Sequence, residues 1–510
     1  MKRLATFDTD YISEPDLVFG GQREEKDPRI GLKYHGPYHF SSETVPSPNH
    51  LRIGIIGNGH TITLTRKILK FLAGEIASHS TNKWLYPNFL GFNTETSIKC
   101  EFMTNDNWQS TIKDDDIKKV LDVSEVNRRI ASGVNLFRDK LRSISLEDNK
   151  PDVVICALPK EIVEYCGISE RTRGAKRPKF TALEKEIAEL KKNNQTFLDE
   201  WGLGIEEQKE ESDIDLDFRN ALKGEIMDLG IPIQIIKEST LEAILDYPNK
   251  KTTQEPATFA WNFATALYYK ANGKPWRLAK LRQDTCYVGI SFYHNLLNPD
   301  REVQTSMAQV ITHNGEGIVL RGSDVIIDEH TKEAHLSEQQ AMDLLTRALA
   351  TYKERANRDP SRVVIHKTTL FSEPEKKGFD QILGSISKDF VTISSRNQFR
   401  FLRNGNYPVL RGTIVNLARN KCVLFTSGYT PRIRTYPGHR VPEPLLITHF
   451  GDSEVNEVCR EIIGLTKLNW NTTEFATQLP ITLEFASKVA KVLSELDEGM
   501  PLQNHYRFYM

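Results

Sequence analysis

The sequence has no long apolar run. A membrane-crossing helix needs about 20 consecutive apolar residues, so no contact with a membrane is expected. The N-terminal stretch MKRLATFDTDYISEPDLVFGG carries acids where a secretory leader needs an apolar core, which points to the cytoplasm. The six cysteines (Cys100, Cys156, Cys166, Cys286, Cys422 and Cys459) include no CxxC pair. That excludes a zinc ribbon and a thioredoxin-type motif, and reads as reduced, buried thiols. HExxH, a phosphate-binding P-loop and a GxSxG elbow are missing too. GIIGNGH, at 54–60, lacks the third glycine of a dinucleotide-binding loop. Net charge is also missing. Lys and Arg number 67 against 68 Asp and Glu, so no chain-wide positive field draws in nucleic acid, and any such case must be local.

What is present is a globular composition, 39% apolar and 26% charged over 510 residues, enough for two or three domains. Residues 1–50 read as an N-terminal arm, extended or irregular. LRIGIIGNG followed by TLTRKILKFLAGEIA is a strand and a helix; PDVVICALP followed by KEIVEYC is a second such unit. Strands alternating with helices imply a parallel, doubly wound sheet. A charged insertion at about 167–217 interrupts the pattern. LDFRNALKGEIMDLG then reads as a helix stopping at Gly230, IPIQIIKE as a strand, and TFAWNFATALYYKANG as a helix. From Thr285 the texture changes. Four strands with hairpin-like spacing, the helix LSEQQAMDLLTRALATYKERA, the strand RVVIHKT, further strands and two closing helices follow. That is the order of an RNase H-like domain, and the boundary falls near residue 255. The fold class is therefore α/β, with a Rossmann-like domain over 51–255 and an RNase H-like domain over 256–510.

Two constellations carry chemistry. Arg219 and Lys223 stand four apart on one helical face, Gln234 begins the next strand, and Lys270 lies on the next helix. Arg grips two oxygens, Lys adds a point charge and the amide a neutral bond, a set suited to a terminal phosphate. Taken alone, Arg219 and Lys223 are more ordinary as solvated helix charges. The second constellation is residues 396–440, which hold nine cations and no acid in a chain with 68 acids in 510 residues. The cations are Arg396, Arg400, Arg403, Arg411, Arg419, Lys421, Arg432, Arg434 and Arg440, interleaved with Phe399, Phe401, Tyr407, Phe425, Tyr429 and Tyr436. Such a stretch can neutralise a phosphate backbone and stack on bases. There is also a deficit. An RNase H-like nuclease holds two divalent metals with carboxylates. TCYVGISFY offers Ser291, RVVIHKTTLF offers His366, Lys367 and Thr368, and the last helix offers Ser487.

ALKGEIMDLGIPIQIIKESTL, YYKANGKPW and TCYVGISFY, with LLITHFG, LTKLNWNTT and LPITLEFASKVA at the C-terminal end, resemble the MID–PIWI half of an Argonaute over roughly residues 150–510. In that family the 5′-phosphate of a guide strand is held by a basic or aromatic residue, a Lys four later, a Gln about eleven beyond and a Lys on the next helix. The resemblance assigns these roles to Arg219, Lys223, Gln234 and Lys270, and implies Mg²⁺ beside the phosphate, held by the carboxylate of Met510. It implies a guide–target groove with Arg396, Arg400, Arg403, Arg432, Arg434 and Arg440. It also implies a degenerate nuclease centre at Ser291, Thr368 and Ser487, where active members carry acids or a final His; the fourth group, a loop Glu, has no counterpart identified. The chain is similar to short prokaryotic Argonautes, which lack N and PAZ domains. The implied partners are a guide RNA, a target single-stranded DNA and an APAZ-domain effector protein with TIR, Sir2 or nuclease activity, with a possible higher oligomer on target binding. The implied role is antiviral or anti-plasmid defence by abortive infection. Two competing readings stand beside this one. The first is an active nuclease using Asp284, Asp324, Asp328 or Glu373, and the second is a purely structural scaffold.

Overall fold

The computed structural model describes residues 7–38, 48–167, 217–250, 254–282, 284–293, 304–311, 317–321, 326–327, 333–436, 441–496 and 500–510. The charged insertion, Asp324, Asp328 and Arg440 lie outside the described residues. The N-terminal segment is more regular than an arm. It forms β1 (Thr9–Tyr11), β2 (Leu17–Phe19) and β3 (Arg23–Glu25), then a helix, Pro28–His35, whose first amides are capped by the Asp27 carboxylate. β1 and β2 join strands from the C-terminal half, far off in sequence; β2 is buried there, while β1 stays exposed along its length.

Next comes a parallel four-stranded sheet of β4 (His50–Gly57), β5 (Glu101–Thr111), β6 (Val153–Leu158) and β7 (Ile233–Lys237), in the order β5-β4-β6-β7. All six residues of β6 are buried, as a parallel strand covered on both faces requires. Val154, Cys156 and Leu158 pack with Ile130, Val134 and Phe137 of the Val126–Ser145 helix. Val153, Ile155 and Ala157 pack on the other side with Ile68 and Leu72 of the Gly59–Ala73 helix. This alternation makes the sheet doubly wound. The helix Phe218–Glu225 follows, capped by Asp217; the chain then turns at Gly230, in the left-handed region at φ 67°, to enter β7.

The Pro256–Lys270 helix, fourteen of whose residues are buried, leads into the second half. β8 (Arg277–Leu278) pairs with β2. β9 (Thr285–Tyr293), β10 (Gln304–Ile311) and β11 (Gly317–Arg321) form an antiparallel run. A two-stranded β12 (Ile326–Ile327) and β13 (Ala334–His335) leads to the Glu338–Ala356 helix. β14 (Arg362–Lys367) then pairs parallel with β9, and β15 (Ser387–Ser394) parallel with β14. β16 (Thr413–Ala418), β17 (Lys421–Leu424) and β18 (Leu445–Gly451) complete a nine-stranded sheet, order β1-β16-β17-β18-β15-β14-β9-β10-β11. β9, β10, β11, β14 and β15, with a helix before β14, form the RNase H-like core. Cys286, Val288 and Ile290 face the Glu338–Ala356 helix. The alternate residues face the Ile481–Leu493 helix, and Gly289 makes that approach possible: a Cβ there would stand 2.3 Å from the carbonyl oxygen of Thr482.

Candidate nucleic-acid interface

Lys223, Gln234 and Lys270 converge where the two halves meet. Lys223 and Lys270 are only 4% and 1% exposed. Helical spacing puts Lys223 on the buried side of the Phe218–Glu225 helix, and its Nζ donates to the main-chain oxygen of Tyr509 at 3.1 Å. Lys270 Nζ donates to Gln234 Oε1 at 2.7 Å, to the Ile233 carbonyl at 2.8 Å and to a main-chain oxygen of Met510 at 3.3 Å. The C-terminal strand of chain reaches this point because Tyr506 stacks on Phe485 and Gln503 Nε2 donates to the Met227 carbonyl. Arg219, one turn before Lys223, is exposed and pairs with no carboxylate among the described residues.

The electrostatics favour an anion. Burial, reinforced by Arg219, Lys270 and Lys488, holds the Lys223 ammonium well below the usual lysine range. Burial and then Arg219 push Lys270 down to about 7. Lys223 has no ion pair among the described residues and Lys270 faces only the terminal carboxylate of Met510, at 3.3 Å, and buried cations that are incompletely neutralised are costly. A bound dianion would restore the balance. Two acids stand at the helix start: Asp217, whose carboxylate caps it, and Glu495, which accepts from the Asp217 amide at 2.9 Å and from Asn220 Nδ2 at 3.1 Å. Burial pushes the Glu495 carboxyl up to about 8, so that group adds little negative charge at neutral pH. Sequence reasoning missed Lys237, Lys488 and Arg507. Lys237, at the end of β7, is held below its ordinary value by burial and Arg219. Arg507 reaches the Lys270 carbonyl at 3.5 Å. The signal available was the Lys three places beyond Gln234 and the Arg in HYRFYM.

Of the three positions expected to be degenerate, Ser291 and Thr368 lie side by side. His366 pairs with Gly289 and Lys367 with Ile290 in the parallel register, which sets Thr368 beside Ser291 at the carboxyl ends of β14 and β9. Ser487 is exposed on the Ile481–Leu493 helix, which crosses the same sheet face. His366 is buried next to them, with Nδ1 2.8 Å from Thr482 Oγ1, and burial pushes its pKa down to about 3. Lys367 points to the other face and is locked to both oxygens of Glu375 at 2.6 Å. Asp284 stands at the opposite end of β9 from Ser291, bonded by Ser361. Glu373 is exposed and pairs with Lys376 at 2.8 Å.

The acid-free stretch divides. Arg411 is buried and structural, donating to Glu14 at 2.8 Å and Thr466 at 2.8 Å. Arg400 pairs with Glu443 at 2.9 Å, and Arg432 with Glu25. Arg396, Arg403, Arg419, Lys421 and Arg434 are exposed. Arg403 lies 5.8 Å from the ring of Tyr429, which stacks on Tyr407 at 4.2 Å. Arg434 lies 5.9 Å from the ring of Trp84, an exposed aromatic of the first domain.

No family profile matches the sequence, and no curated protein is similar to it. Solved structures are similar in fold. The Argonaute of Clostridium butyricum, solved with a guide DNA bearing a 5′ deoxycytidine and a 19-mer target DNA, matches at 15% identity and TM-score 0.60 over 97% of this chain and 54% of that one. The Argonaute of A. aeolicus matches at 14% identity and TM-score 0.53 over 95% and 53% of the two chains. A second structure of that Argonaute, with externally bound siRNA, matches at 14% identity and TM-score 0.53 over 99% and 56%. The chain thus spans about half the length of the Argonautes it matches. It has their fold: a Rossmann-like MID unit followed by an RNase H-like PIWI unit.

Proposed function

We propose that this chain is a guide-directed nucleic-acid recognition module that does not itself cut. The observation that carries the reading is the convergence of Lys223, Gln234 and Lys270, with Arg219 at the rim, into one pocket. A guide's terminal phosphate, a dianion, meets more of these donors than an internal phosphodiester could. The guide is a short 5′-phosphorylated strand, RNA in this reading, and the target is complementary single-stranded DNA. Mg²⁺ belongs beside the phosphate. It takes oxygen ligands, and Met510 brings a main-chain oxygen to Lys270, so its carboxylate and the phosphate oxygens would hold the ion and offset charge between them.

The exposed cations among residues 396–434, with Tyr407, Tyr429 and Trp84, suit the backbone of a guide–target duplex. Ser291, Thr368 and Ser487 supply neutral hydroxyls, which do not replace anionic ligands for two hard cations. A module that recognises without cutting needs a companion for its output. The reading assigns that role to an APAZ-domain effector of TIR, Sir2 or nuclease type, switched on by target binding in a defence response, with higher oligomers on activation. The test is native purification of the chain from its source cell. Sequencing of the bound nucleic acid should return short strands with 5′-phosphates, and one second protein should accompany the chain. Nucleic acid without a defined 5′ end, or none, would contradict the reading.

A further inference from the structure

We propose that His60, Glu238 and Glu242 form a divalent-cation site at the carboxyl edge of the parallel sheet, separate from the phosphate pocket. The three ligand atoms lie within 4.8 Å of one another. His60 Nε2 stands 3.8 Å from Glu238 Oε1 and 3.5 Å from Glu242 Oε1. Ligands about 2.1 Å from a tetrahedral Zn²⁺ are roughly 3.4 Å apart. The two histidine–carboxylate spacings therefore need to change by only a few tenths of an ångström.

The carboxylates are already aimed. The other oxygen of Glu242 accepts from Lys250 Nζ at 2.8 Å, and the other oxygen of Glu238 accepts from the Lys160 amide at 3.1 Å. In each the oxygen left over is the one facing His60. Fixing a ligand by a hydrogen bond to its second atom is how metal sites orient their first contacts. Glu238 and Glu242, four apart, share a face of the Glu238–Leu245 helix, which follows β7 directly. His60 opens the helix after β4, and Lys160 the helix after β6. Three strand ends meet here, the position where open parallel sheets collect ligands. Two carboxylates and a neutral imidazole carry a net charge of −2, reduced to −1 by Lys250, which selects a cation over an anion. One nitrogen and two oxygens suit Zn²⁺, Mn²⁺ or Co²⁺ better than a thiol-seeking ion. The site also explains GIIGNGH, a glycine-rich turn that carries a histidine and has no dinucleotide signal.

The experiment is calorimetric titration of the full, untagged chain with Zn²⁺ and with Mn²⁺, followed by Co²⁺ absorption. The chain should take up one equivalent that His60→Ala and Glu242→Gln each weaken at least tenfold. Co²⁺ should give visible bands that both substitutions remove. His60 and Glu242 are surface groups, and a thermal melt identifies any misfolded variant. Full-strength binding in both variants, or no binding of any of the three ions, overturns the proposal. Neither outcome bears on the phosphate pocket, whose residues are untouched.

Discussion

Lys270 Nζ donates to Gln234 Oε1 across 2.7 Å, tying the Pro256–Lys270 helix to the start of β7. Burial has pushed that ammonium down to about 7. In the free protein it is charged below this pH and increasingly neutral above it. A phosphate dianion beside it favours the charged form and raises its pKa. Binding of a 5′-phosphorylated guide at pH 8 should therefore take up protons, and affinity should fall as pH rises above 7. The phosphate is already a dianion there, since its second pKa is about 6. Calorimetry in two buffers of different ionisation enthalpy measures the uptake, and Lys270→Met should diminish it. Identical heats in both buffers would contradict the assignment.

The isolated chain, loaded with guide and given a complementary target with Mg²⁺ or Mn²⁺, should yield no cleavage products. The basis is Ser291 beside Thr368 in the β9–β14 register, with Ser487 on the helix crossing that face. Guide-programmed cutting, resolved on a denaturing gel and absent from a mock preparation, would revive the reading of an active nuclease.

Arg434, exposed and set by Trp84, should contact the duplex backbone. Arg434→Ala should weaken duplex binding for all sequences alike and reduce the salt slope by about one. Arg411→Ala should instead destabilise the fold, because its partners Glu14 and Thr466 are protein groups. An unchanged salt slope for Arg434→Ala would place that side chain outside the groove.

Gly289→Ala should lower Tm by several degrees, because its methyl group would meet the Thr482 main chain, which cannot swing aside. Overpacking of this kind costs about 1–3 kcal/mol. A melt unchanged from the parent would mean that the Ile481–Leu493 helix rides higher on the sheet than described.

Much of this was legible in the sequence, for physical reasons that differ from place to place. β6 and β9 are apolar runs bounded by turns, and runs of that kind announce themselves. Lys223, Gln234 and Lys270 are singled out by the resemblance to Argonautes; their spacing alone reads Lys223 as a solvated helix charge, whereas it is buried. β5 was not seen: EFMTNDNWQST is an edge strand, mostly exposed, with no apolar period to detect. The Val126–Ser145 helix was passed over too. Its buried face includes Arg129, whose guanidinium is spent on the carbonyls of Tyr165 and Val123. Arg411 counted as one more cation in an acid-free stretch, because composition does not say which way a side chain points. β1 and β2 depend on β16 and β8, hundreds of residues away, so nothing local marks them as strands.

The central claim is that the pocket reads a terminal phosphate, and one comparison tests it most directly. Guides identical except for a 5′-phosphate or a 5′-hydroxyl are titrated into the parent chain and into a Lys223→Met, Gln234→Ala variant. Methionine keeps the buried stem of Lys223 while removing its charge. A charge-assisted hydrogen bond is worth roughly 1.5–3 kcal/mol, so losing two should cost on the order of a hundredfold or more in affinity for the phosphorylated guide. The parent should prefer the phosphorylated guide by a wide margin, and the folded variant should bind both guides alike. The same preference in both proteins would put the pocket elsewhere.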